Sequence, residues 1–261
     1  GTFNVANVVA TRDLEGNEFV LDDDGDTTIT ADTDDQIDFK IAGADDFRMT
    51  ANTFNALDGS TVLVGGGASR TVGGVTAALQ VEGTAINDSS ISMISNGASG
   101  TDGLPAKLVF GRTGAASLAS NTVVADGNEI GVISFQAGDG TDLESQAASI
   151  LCAIDGTPGA NDTPGRIVFS TTADGSAGST ERMRVTQSGE VLIATTDSSP
   201  WNNTSAAGIA LNAVGGGAGL VAAARVGGDP LAVNRVTNDG NVIAIYAQGN
   251  LEGSISVSGS T

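Results

Sequence analysis

Gln36-Ile37-Asp38-Phe39-Lys40-Ile41, followed closely by Phe47-Arg48-Met49-Thr50-Ala51, is the stretch that decides the fold class. Ile37, Phe39 and Ile41 alternate with Asp38 and Lys40, the two-residue period of a half-buried β-strand. Phe47, Met49 and Ala51 repeat the pattern with Arg48 and Thr50 outward, and Gly43-Ala44-Asp45-Asp46 reads as the turn between them. The prediction is an antiparallel hairpin with one wet face.

This hairpin sits in the most acidic part of the chain. From Asp13 to Asp58 there are 14 acids against two bases, Lys40 and Arg48, in a protein of formal net charge −20. Phosphate binding needs clustered Lys and Arg, so nucleic acid and anionic bilayers are poor partners. Surface charge is screened beyond about 8 Å at physiological salt, which makes it a solubility device and no bar to assembly.

Downstream, strand signals recur between Gly, Asn, Asp and Pro turns, at residues 79–81, 90–94, 107–110, 130–135, 148–154, 166–170, 182–186 and 191–194. Residues 148–154 are apolar on both faces, as expected for a strand covered by a second sheet or another protomer. Arg182, Arg184 and Thr186 alternate with Met183 and Val185, ahead of a turn at Gln187-Ser188-Gly189-Glu190. The end reads as a meander of strands at 231–236, 242–247 and 251–257, with Asn238-Asp239-Gly240-Asn241 as a hairpin turn. Helical windows are limited to 205–211 and 220–225, both short and uncapped.

The fold class is therefore all-β: short antiparallel strands and meanders in an elongated, Gly-rich chain. The expected segments are an acidic hairpin and shaft at 1–64, a Gly-rich joint at 65–76, a central β domain at 77–199, a Gly/Ala-rich connector at 200–230 and a C-terminal meander at 231–261. Aromatic residues make up 4% of the chain, so burial rests on Ala, Val, Ile and Leu. Such residues build thin layers more readily than a thick core, which points to cores shared between identical chains, intertwined or side by side, and to an unstable isolated monomer.

Several chemistries are excluded. With no His there is no Ser-His-Asp or Cys-His catalysis and no His metal site. Cys152 is the only cysteine and lies in the apolar run Ile150-Leu151-Cys152-Ala153-Ile154, where a buried inert thiol is expected. The Gly runs have no helix behind them, so they are turns and not phosphate loops. No apolar run approaches the ~18 residues of a membrane span.

Two candidate sites remain. Asp22, Asp24 and Asp26 have the 1, 3, 5 spacing of a calcium loop, but Thr27 stands where an EF-hand needs Gly and Thr33 where it needs Glu. What is left is a looser oxygen-ligand calcium site, set against a solvated acidic turn. Trp201 beside Asn202 has the makings of a glycan contact, set against a Pro-Trp anchor between structural units. No other cofactor and no catalytic residue is expected. Arg166, Arg182 and Arg184 are expected to pair with acids such as Glu181 and Glu190 on a solvated sheet face.

Asp32-Thr33-Asp34-Asp35-Gln36-Ile37-Asp38 with Ile41-Ala42-Gly43-Ala44-Asp45-Asp46-Phe47 resembles a block of tail-fibre proteins of marine tailed phages. A second block, Asp155-Gly156-Thr157-Pro158-Gly159 continuing through Pro164-Gly165-Arg166-Ile167-Val168-Phe169 and Glu181-Arg182-Met183-Arg184-Val185, is similar to another. The stretch from Asn234-Arg235 to Gly253-Ser254-Ile255-Ser256 looks like the region preceding an endosialidase-type intramolecular chaperone domain. The resemblance implies a homotrimeric virion fibre, located in the tail, that extends and orients host attachment. It implies other tail proteins as partners and a host surface glycan or protein as the receptor. It also implies a self-releasing chaperone beginning near Thr261, whose cleaving residues are not in this sequence. Two rivals share the composition: a polysaccharide-degrading tailspike acting through paired carboxylates, and a secreted bacterial adhesin or filament subunit.

Overall fold

The computed structural model describes residues 18–31, 36–57, 59–65, 68–95, 105–202, 205–211, 220–235, 238–247 and 250–259. Among these there are strands and two short 3-10 turns, at Ile86–Asp88 and Pro200–Asn202, but no α-helix. No helix is long and apolar enough to cross a membrane. The chain divides into two compact units, Gly1–Lys107 and Leu108–Thr261.

The first unit contains a five-stranded antiparallel meander: β1 Glu18–Val20, β2 Thr28–Thr30, β3 Gln36–Ile41, β4 Ala44–Thr50 and β5 Thr53–Ala56. The predicted hairpin is β3–β4, but its turn is Ala42-Gly43, with φ of 52° and 79°. Positive φ at both central residues matches the twist of the flanking strands, so Ala44, Asp45 and Asp46 are drawn into β4. A bulge leaves Asp46 without a register partner on β3 and brings Phe47 opposite Phe39.

Cross-strand partners share a sheet face. Phe19, Ile29, Phe39, Phe47 and Ala56 therefore form one apolar ladder across all five strands, with Ile37, Met49 and Phe54 beside it. Phe47 and Phe54 stack at 5.7 Å. The other face carries Thr28, Thr30, Asp38 and Arg48. Burial reverses the expected arrangement: Asp38 is 3% exposed, while Phe19 and Phe54 are 57% and 59% exposed. The wet face of the hairpin is the apolar one. Asp38 tolerates burial because Arg48 Nε donates to it at 2.6 Å and Gln36 Nε2 donates to its other oxygen.

β6 Val62–Gly65 and β7 Leu79–Glu82 follow as a parallel pair. The intervening residues cross over between them. Gln80 holds this crossover, accepting from the Arg70 backbone N–H and donating to its carbonyl, while Arg70 pairs with Glu82 at 3.1 Å. The predicted strands at 90–94 and 107–110 find no ladder partner, and Ile91, Ile94 and Val109 lie exposed.

The second unit is built on a seven-stranded antiparallel meander. Its strands are β8 Glu129–Ala137, β9 Ser145–Ile154, β10 Gly165–Thr172, β11 Ser179–Val185, β12 Val191–Ile193, β13 Gly208–Leu211 and β14 Val221–Ala224. Both helical windows of the sequence are strands here. Gly208, at φ 139°, enters β13 alongside Ile193, and Ala222 of β14 is buried opposite Ala210. Ladder pairing outweighs the weak helix propensity of short Ala-rich stretches. A hairpin, β15 Gly240–Ala247 with β16 Asn250–Val257, completes the unit. The predicted strand at 231–236 is not formed over its described residues. Instead Arg235 Nε donates to the Asn238 carbonyl and side chain and closes the turn into β15.

Candidate functional site

The loop between β1 and β2 brings the carboxylate oxygens of Asp22, Asp24 and Asp26 within 4.8 Å of one another. Asp22 Oδ1 accepts the backbone N–H groups of Gly25 and Thr27, at 3.1 and 3.3 Å. The hydrogen bond to Thr27 leads the contacts that hold this carboxyl below the usual aspartate range. Calcium takes six to eight oxygens, so three carboxylates, one already committed to closing the loop, would need backbone or water to complete a shell. The calcium expectation rests on the spacing and on this three-carboxylate cluster.

Pro200, fully buried, anchors the 3-10 turn that also holds Trp201 and Asn202. Asn202 is exposed, and its N–H donates to the Ser199 carbonyl at 3.1 Å. The Trp201 side chain and Asn203 lie outside the described residues. A separate concavity of about 510 Å³, lined by Arg112, Asn121, Pro158 and Thr163 among others, has no carboxylate in its wall.

Arg166 and Arg184 pair with acids, but not on a solvated face, whereas the exposed Arg182 donates to Thr171 Oγ1 at 2.9 Å instead. A bulge at Arg182 puts Glu181 and Arg184 on the same side of β11, and they meet in a two-pronged contact of 2.6 and 2.7 Å. That contact holds the Arg184 guanidinium firmly charged. Arg166 binds Asp155 at 2.9 Å. Burial works to raise the Asp155 carboxyl, but hydrogen bonds from the Gln187 backbone and from Arg166 outweigh it and leave it lowered. Glu190 is buried and accepts from Ser198 Oγ at 2.7 Å. Arg166, Arg184 and Glu181 share a face with Val168, Leu192, Ala210 and Ala222, all four of which are buried. This is the closed side of the sheet, and Leu192 with Ala210 forms its small apolar centre.

The opposite side is open. One ladder runs across all seven strands from Gly131 through Cys152, Ile167 and Val185 to Val191, Leu211 and Val221. A second runs from Ile133 through Ile150, Phe169 and Met183 to Ile193, Ile209 and Ala223. None of these residues is buried. Cys152, expected to be an inert core thiol, is exposed on this face. The apolar run around it alternates between the closed and the open side of the sheet, which puts Cys152 outward and Ala153 inward. Phe110 lies against Gly131, where a side chain would collide with its Cβ at 2.6 Å, and so fills the place of the missing ladder residue.

Seven strands about 4.8 Å apart and two rows of side chains give a footprint of roughly 450 Å². At about 25 cal/mol per Å², covering a footprint of that size contributes at most on the order of 10 kcal/mol, and less here because most of the ladder residues are already half-buried. The sequence reading missed this face because it assigned residues 200–230 to a Gly/Ala-rich connector, with only short uncapped helical windows where β13 and β14 lie. Ile209 and Val221, branched residues flanking those Ala runs, were the available signal.

No protein-family model matches the chain, and no curated protein matches it. Among solved structures, it is similar to the carboxy-terminal domain of the bacteriophage T5 L-shaped tail fibre. The identity is 14% and the TM-score 0.41, over 76% of this chain and 91% of that one. A TM-score of that size assigns neither family nor fold, so the functional reading rests on the chain's own geometry.

Proposed function

We propose that this protein is a non-enzymatic structural segment of a phage tail fibre, working as a homotrimer in the virion tail to extend and orient host attachment. One observation carries the assembly: each unit contains a sheet with one apolar face on which, among the described residues, no ladder side chain is fully buried. A single chain that exposes Phe19, Phe54 and Phe135 on regular strands is built to be completed by others. The resemblance to marine phage fibre blocks supports the identity of the assembly, and those blocks fall on the β3–β4 hairpin and on β10–β11.

Solution mass tests the reading. Light scattering should give three times 25.8 kDa, and incubation with host surface polysaccharide should release no new reducing ends. A folded 25.8 kDa monomer overturns the trimer, and catalytic release of oligosaccharide overturns the non-enzymatic role.

A further inference from the structure

We infer that the open face of the seven-stranded sheet is the surface on which copies of this chain join, edge to edge in a closed ring, with Cys152 inside the contact. This deepens the fibre reading and rests on it.

Charge identifies the occupant. Copies with a net charge of −20 repel wherever their acids approach. The two complete ladders contain no charged residue, and Arg182, hydrogen-bonded to Thr171 Oγ1 at 2.9 Å, marks where the apolar area ends. This is a surface on which identical acidic chains can meet without opposing carboxylates. A flat footprint of roughly 450 Å², before side-chain relief is counted, supplies a little over half of the ~800 Å² that each partner gives to a stable interface, so the contact draws on further surface beyond the two ladders.

The two edges of the face differ. At β8–β10 a hollow of about 120 Å³ is walled by Phe110, Gly131, Ile133, Ile150, Cys152 and Ile167. At β14, the far edge, Val221 stands 71% exposed. A hollow at one edge and a projection at the other favour head-to-tail contacts over face-to-face pairs, and head-to-tail contacts close into rings when the rotation allows. Val221 of one copy fits the hollow beside Cys152 of the next.

The test is thiol titration of the whole native chain with an aromatic disulfide reagent, its mass measured in parallel, on the parent and on Val221→Asp. In the parent assembly, Cys152 should react at least about tenfold more slowly than in urea, where one thiol per chain is fully available. Val221→Asp should lower the mass and restore the thiol rate. Because Val221 is an exposed edge residue, the single chain tolerates the change. An assembled parent with a fast-reacting Cys152 overturns this inference and leaves the trimer standing. An assembled Val221→Asp protein with a protected thiol overturns the edge-to-edge contact. A monomeric parent overturns the inference and the fibre reading together.

Discussion

Asp38 and Arg48 face each other across β3 and β4 on the closed side of the first sheet, Arg48 Nε 2.6 Å from Asp38 Oδ1. Directly behind them on the same strands, Phe39 and Phe47 belong to the open side. The sheet thus closes over its ion pair and turns its rings outward. A monomeric domain does the reverse, because burying a charge costs more than burying a ring. The inversion is the feature that the proposed assembly accounts for, because a partner surface would cover the apolar side.

The ion pair makes the first unit acid-sensitive. The Arg48 hydrogen bond leads the contacts that hold Asp38 below the ordinary aspartate value of about 3.9. A depressed folded value contributes stability that is complete above the unfolded value and is lost as pH falls through the folded one. Asp38→Asn should therefore cost about 1–3 kcal/mol at pH 7, and the gap from the parent should shrink below about pH 3.9. Urea midpoints from pH 7 to pH 3 measure it. A gap that stays constant over that range would mean the ionised carboxylate is not the stabilising species.

Leu192, 1% exposed against a fully buried Ala210, is the largest fully buried apolar side chain among the described residues. Leu192→Ala should cost about 2–5 kcal/mol, the usual range for a buried leucine. Leu118→Ala, at a residue 99% exposed, should change stability by less than about 0.5 kcal/mol. Chemical denaturation of both variants at matched concentration gives the comparison. Equal losses would mean that Leu118 too is buried in the working assembly.

The sequence made the strands legible and the faces illegible. The alternation at residues 36–41 and 47–51 located β3 and β4, and the Gly- and Asn-bounded runs located β8 to β12, because a period of two is a property of the local chain. Which side of a strand is covered is not local. Ile37 and Asp38 alternate identically whether the layer above lies on one side or the other. The arginines show the same limit. Arg182 and Arg184 read as neighbours on one face, but the bulge at Arg182 paired Arg184 with Glu181 instead. The acidic triad was legible as a cluster because three aspartates at alternate positions in a seven-residue loop cannot move far apart.

Gly65 is the position where a single methyl group should be felt most sharply. It ends β6 at φ 109°, and a Cβ there would lie 1.8 Å from the Glu82 carbonyl oxygen of the parallel partner β7. Neither strand can yield without breaking the pairing, because the Cβ is fixed rigidly to the β6 backbone and the atom it meets is a backbone oxygen of β7. Gly59 has φ 88° and open space around it, so Gly59→Ala carries only the left-handed backbone cost of about 1–2 kcal/mol. Gly65→Ala should cost more than that and should act locally. Amide exchange ought to accelerate at Val64 and Val81 while staying unchanged in β3 and β4. Equal effects of the two substitutions, or intact protection at Val81, would show that β6 and β7 pair less closely than the 1.8 Å approach requires.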